Sequence, residues 1–154
     1  MAIHTLTIDE LKQRPVRSLS LPGMGWGDLV VVTGRPASGK TTWALQCAWH
    51  WARNRHPVGF FSPEEQGDTL VRKMMAYALE RGCPCSGLDF IESADMTLEE
   101  IAETTSKREY HVIFVDCVRF HAPCGLGSEY RLANAIDALN RMAQLTGTLV
   151  IAII

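Results

Sequence analysis

Gly34-Arg35-Pro36-Ala37-Ser38-Gly39-Lys40-Thr41 follows the apolar run Asp28-Leu29-Val30-Val31-Val32-Thr33 and leads directly into Thr42-Trp43-Ala44-Leu45-Gln46-Cys47-Ala48. The β-branched run predicts a strand, and the apolar spacing after Thr42 predicts a helix. Between them, Gly-x-x-x-x-Gly-Lys-Thr is the pattern of a loop that cradles phosphates. Its turn offers backbone amides from Ser38 to Thr41 to a polyanion, Lys40 reaches the terminal phosphates, and the Thr41 hydroxyl joins the Mg2+ shell. Gly34 and Gly39 allow backbone angles and close approaches that a side chain resists, while Pro36 holds one loop position near its preferred φ. Residues 34–42, Thr42 included, are therefore expected to bind a nucleoside triphosphate, ATP in the first instance, together with Mg2+.

Outward from this loop, strands and helices alternate. Thr42 to Arg53 carries Trp43, Cys47 and Trp51 at helical spacing, read as packing groups, and Asn54-Arg55-His56-Pro57 ends that helix. Val58-Gly59-Phe60-Phe61-Ser62 predicts a second strand, whose end delivers Pro63-Glu64-Glu65. A helix is expected over 68–81, a modest strand over Leu88-Asp89-Phe90-Ile91-Glu92, and a helix to about Lys107. That last helix opens at Met96-Thr97-Leu98-Glu99-Glu100-Ile101, a capping-box and staple signature. Val112-Ile113-Phe114-Val115-Asp116 reads as a buried parallel strand with a carboxylate at its carboxyl edge. A loop over 117–127, a helix over 129–145 and a strand over 148–154 complete the series. The expected fold is α/β, a mainly parallel sheet in one layer with helices on both faces. Residues 1–27 form a short leading helix and a Pro/Gly/Ser-rich linker, with Trp26 either stacking on a base or capping the core, and 28–154 form the catalytic core.

Bulk properties narrow the function. The chain has 154 residues, enough for one domain at roughly 100 to 200 residues each. Fifteen Lys and Arg against seventeen Asp and Glu give a net charge of -2, so no global positive field gathers nucleic acid. Contact with single-stranded DNA would rest on local groups such as Arg119, Arg131 and Arg141, each equally at home as a solvated residue. No apolar run approaches the roughly 20 residues of a membrane span, and no secretory signal opens the chain, which leads to an expected cytoplasmic location without a membrane partner. Five cysteines, with Cys83-Pro84-Cys85 as the close pair, read as reduced thiols rather than disulfides or a metal site.

Phosphoryl transfer to water needs a metal holder and a group that activates the water. Asp116 fits the first role, at the end of its hydrophobic strand. Glu64 fits the second, at the end of another strand, with Glu65 in reserve. Lys40, Glu64 and Asp116 are thus the candidate catalytic residues, and Thr41 and Asp116 the candidate metal-binding ones.

Taken together, Gly27 to Thr42, Val58 to Glu64 and His111 to Asp116 resemble the DnaB-type replicative hexameric DNA helicases, including their phage and mitochondrial primase-helicase relatives, within the RecA-like P-loop ATPases. The Arg-Pro inside the loop and the Phe-Ser-x-Glu strand end narrow the resemblance, which covers roughly residues 22 to 154. It implies an ATP-hydrolysing module of a helicase working as a homo-oligomeric ring on single-stranded DNA. Lys40 and Thr41 would then bind phosphate and Mg2+, Glu64 would be the catalytic glutamate, and Asp116 the Walker B aspartate. Relatives usually carry Gln three residues after that aspartate, where this chain has Arg119. They also continue beyond the strand matching Leu149-Ile154, which their shared fold places between the phosphate-loop strand and the Asp116 strand; the resemblance therefore implies a motor core incomplete on its C-terminal side, either covered by a completing partner chain or belonging to a fragment or a decayed gene product. Looseness of residues 149–154 is the matching expectation. A small-molecule or nucleotide kinase with Arg72, Lys73 and Arg81 in a lid, and a noncatalytic nucleotide-binding regulatory fragment, are the alternatives the residues leave open.

Overall fold

A computed structural model describes residues 24–62, 69, 72, 73, 76, 87–92, 96–116 and 128–154. Five strands, β1 (Leu29–Val32), β2 (Val58–Ser62), β3 (Leu88–Glu92), β4 (Val112–Asp116) and β5 (Leu149–Ile153), form one sheet in the order β1-β5-β4-β2-β3. Every neighbouring pair is parallel. Three helices are complete among the described residues: α1 (Lys40–Arg53), α2 (Leu98–Arg108) and α3 (Ser128–Thr146). Thr69, Arg72, Lys73 and Ala76 are also helical, inside the span where the pattern predicts a helix. The leading helix expected before the linker lies outside the described residues.

Strand alternation builds two apolar layers. Val58, Phe60, Val112, Phe114, Leu149 and Ile151 face α1, where they meet Ala44, Leu45, Ala48, Trp51 and Ala52. Phe61, Ile113, Val115, Val150 and Ala152 face the other way, onto Ile101 of α2 and Ala135, Leu139, Met142 and Ala143 of α3. The sheet is thus covered on both faces, as a near-continuous apolar strand pattern requires. Phe60 stacks on Phe114 at 5.4 Å between ring centroids, and Trp51 tilts against Phe114 at 5.8 Å. Aromatic pairs of this kind add about 0.5–1.5 kcal/mol to the burial of their surface.

Local signals set the element ends. Thr97 accepts from the Glu100 backbone amide at 3.2 Å while Glu100 accepts from the Thr97 amide at 2.9 Å, the reciprocal cap read from the sequence. Gly59 leaves room for Tyr110: a Cβ there would lie 2.7 Å from the tyrosine ring. The Tyr110 hydroxyl in turn donates to Asp89 at 2.6 Å, tying the segment before β4 to strand β3.

β5 lies where the resemblance implies, between the phosphate-loop strand and the Asp116 strand. It lies inside the sheet, with β1 on one side and β4 on the other, and all five of its residues are buried. The region expected to be loose is therefore the one paired along both of its sides. Among the described residues β1 is an edge, and Val31 is 41% exposed.

Candidate functional site

Because every strand runs the same way, β1, β4 and β2 end on one edge of the sheet, and the loop of residues 33–39 leaves β1 there. Ala37 adopts a left-handed backbone with φ 60° and Gly39 one with φ 92°. The Ser38 amide donates to Arg35 O at 3.2 Å, closing the turn. Gly34 has no space for a side chain, since a Cβ would meet Ser38 Oγ at 2.8 Å and Lys40 Cδ at 3.3 Å. α1 then begins at Lys40 with Gly39 as its N-cap, which supplies no side-chain acceptor, and no acidic residue occupies the first turn. The first turn of α1 itself thus offers no anion to its opening amides or to the positive end of its dipole.

Lys40 Nζ donates to Gly34 O and to Ile154 O, each at 2.7 Å. The ammonium is held over the loop and bridges the ends of β1 and β5. Thr41 Oγ1 donates to Asp116 Oδ2 at 2.7 Å. Asp116 is only 8% exposed at the end of β4, so its carboxylate is turned inward toward the first turn of α1.

Residues 34–42, Lys40 and Asp116 are brought together at this edge. Glu64, Glu65 and Arg119 lie outside the described residues; Ser62, two positions before Glu64, ends β2 beside β4, with Phe61 in register with Val115. Arg141 pairs with Asp137 at 3.1 Å across one turn of α3, with both side chains well exposed. Cys47 is half-buried, and burial pushes its thiol pKa up to about 11, which keeps it protonated at neutral pH. Among the described residues, no group of three His, Cys, Asp or Glu is arranged to hold a metal.

At the opposite edge the structure answers the question left open for Trp26. It packs on the α1-side core and lies 5.4 Å from the His56 ring and 5.0 Å from the His111 ring. Trp26 therefore caps the core, away from the phosphate loop. His56 Nδ1 and His111 Nδ1 are 3.2 Å apart, a bond that requires one ring to donate and the other to accept. Burial, then the charges of His111 and His50, lower the His56 pKa below the usual histidine value. Sequence reading missed this pair. Its signal was present: His56 and His111 stand just before strands that pair in parallel with Val58 opposite Val112.

Comparison with known proteins gives a consistent likeness. Residues 19–135 match the family model for the DnaB-like helicase C terminal domain. The DNA repair protein RadA of Campylobacter jejuni is 30% identical over 97 residues, covering 63% of this chain and 20% of RadA. A DnaB-like replicative helicase, described together with its interactions with primase, superposes with a TM-score of 0.69 at 18% identity, over 82% of this chain and 39% of that one. A separately solved ATPase domain gives the same TM-score of 0.69 at 18% identity, over 82% of this chain and 56% of that one. The RadB recombinase gives 0.62 at 23% identity, over 86% and 63%. The chain thus spans about a fifth of the curated relative and little more than half, or less, of the first two of these structures. The likeness to these solved structures is one of fold.

Proposed function

The chain belongs to the DnaB-like helicase C-terminal domain family, a group of RecA-like P-loop ATPase domains, and from that premise we propose that it binds ATP with Mg2+ and hydrolyses it as part of a helicase-type motor. The observation that carries this reading is the junction of Thr41 with Asp116 beside the uncapped start of α1. A hydroxyl and a carboxylate from two elements converge where a Walker-type site needs oxygen ligands for a hard divalent cation, next to amides suited to phosphate.

In this reading the loop amides and the first turn of α1 bind the β- and γ-phosphates. Lys40 exchanges its neutral carbonyl partners, Gly34 and Ile154, for anionic phosphate oxygens, so that both donor and acceptor carry charge. Thr41 and Asp116 would hold Mg2+, which supplies charge neutralisation of the triphosphate when bound. Glu64 takes a proton from the attacking water. Arg35 and Thr42 flank the phosphates from the loop and the helix. Several copies in a ring would complete the site with an arginine from a neighbour and couple it to single-stranded DNA.

The test is Mg2+-dependent ATP hydrolysis with and without single-stranded DNA, on protein of known oligomeric state. Lys40→Ala is expected to abolish nucleotide binding, and Glu64→Gln to keep binding while stopping turnover. An active assembly unaffected by Glu64→Gln would remove Glu64 from the water-activating role.

A further inference from the structure

The amino edge of the sheet, opposite the phosphate loop, carries a cleft of about 670 Å3 whose wall includes Trp26, Glu109, His111, Leu145 and the last turns of two helices. That volume lies in the range of small-ligand pockets. α2 ends at Arg108 and α3 at Thr146, so both helices direct their negative dipole ends to this cleft. Among the described lining residues Glu109 is the one Asp, Glu, Lys or Arg, and it follows directly on α2.

Glu109 is an unfavourable residue for that position in two separate ways. It occupies the left-handed region with φ 54° and ψ 41°, where the residue after a helix is usually glycine. Its negative charge also sits at the end of a helix where the dipole favours a cation. Among the described residues it makes no ion pair, whereas Lys107, two positions earlier, is bonded to Glu103 at 2.7 Å. Arg108 is exposed and close enough to Tyr110 to act on its hydroxyl, yet it does not line the cleft. Trp26 adds an aromatic wall, and Leu145, 82% exposed, adds an apolar rim.

We infer that this cleft binds an organic cation, an alkylguanidinium or alkylammonium group, with Glu109 as its counter-ion, Trp26 against its charged face and Leu145 against its aliphatic stem. Carboxylate, aromatic wall and two helix carboxyl ends all favour positive charge, and the rim suits the methylene stem of a long basic side chain. The two sources of such a group are a basic side chain of a protein and a free polyamine.

Nuclear magnetic resonance titration of the full chain with N-acetyl-arginine methylamide tests the inference, with the citrulline analogue as the uncharged match. Saturable shifts are expected at the Trp26 indole and at the amides of Glu109, His111 and Gly147, with citrulline at least about tenfold weaker. Glu109→Gln should weaken arginine binding at least about fivefold. Glu109→Gly separates a binding role from a structural one: it should raise the melting temperature while lowering cation affinity. Comparison of a capped Gly-Arg-Gly peptide with putrescine identifies the source, a tighter peptide pointing to a protein side chain and tighter putrescine to a free polyamine. Equal binding of citrulline, or unchanged affinity in both Glu109 variants, overturns the inference. None of these readouts depends on ATP hydrolysis.

Discussion

Thr41 Oγ1 and Asp116 Oδ2 are 2.7 Å apart, joining the first turn of α1 to the end of β4 across the carboxyl edge of the sheet. Asp116→Asn is therefore expected to lower Mg2+-dependent turnover on the order of a hundredfold or more, while Thr41→Ser retains most of it and Thr41→Val does not. Steady-state phosphate release across a Mg2+ titration measures the effect. Equal activity in Thr41→Val and Thr41→Ser would show that the hydroxyl is dispensable.

Gly34→Ala should act on nucleotide affinity rather than on the fold. The added methyl meets Ser38 Oγ and Lys40 Cδ, both at the loop rather than in the core. We expect ATP affinity to fall about tenfold, the equivalent of ~1.4 kcal/mol. The melting temperature should change little. Fluorescent-nucleotide titration beside thermal melts separates the two effects.

Gly59→Ala should do the reverse. Its methyl would press on the Tyr110 ring, which is fixed by the hydroxyl bond to Asp89 and cannot swing away. Overpacking of this kind costs about 1–3 kcal/mol, against ~0.5–1.5 kcal/mol for Tyr110→Phe through the lost hydrogen bond. Chemical denaturation of the two single variants and the double variant gives their coupling, which should differ from zero because the ring is shared.

His56 is expected to make stability depend on pH. The His56 pKa is lowered in the folded chain from 6.5, so below that pH the unfolded chain binds more protons than the folded one. Stability contributed by keeping His56 neutral is complete above about pH 6.5 and is lost as pH falls toward the lowered folded value. Melting temperatures across the mildly alkaline to mildly acidic range are expected to drop on the acid side, and His56→Gln should flatten that drop. Among the described residues Trp26, His50 and His111 surround it, and none of the three carries a carboxylate.

Much of this structure was legible in the residues. The continuous apolar runs at 58–62 and 112–116 marked two strands to the residue, because a buried parallel strand tolerates nothing polar until its end. The Thr97 and Glu100 box fixed the start of α2 because capping is a local interaction. The loop glycines, Lys40, Thr41 and Asp116 were singled out because a phosphate and a metal demand such groups, and the structure brings them to one edge of the sheet, while their roles remain part of the proposal. What stayed hidden was whatever depends on chain segments far apart. Trp26 gave no sign of which edge it occupied, and the histidine pair required knowing that β2 and β4 are neighbours. The resemblance implied β5 beside β1, but the bond from Lys40 to Ile154 O that this placement permits was not read from the residues.

That placement of β5 between β1 and β4 has a consequence for biosynthesis. As the polypeptide leaves the ribosome, β1 and its loop emerge early, but the strand that hydrogen-bonds to β1 is not made until residues 149–153. The segment that holds the phosphate motif must wait for this distant neighbour through the synthesis of three intervening strands and their helices. Nascent chains released before about residue 149 are therefore expected to expose the β1 edge and fail to retain nucleotide, so the birth of the site coincides with the closing of the sheet.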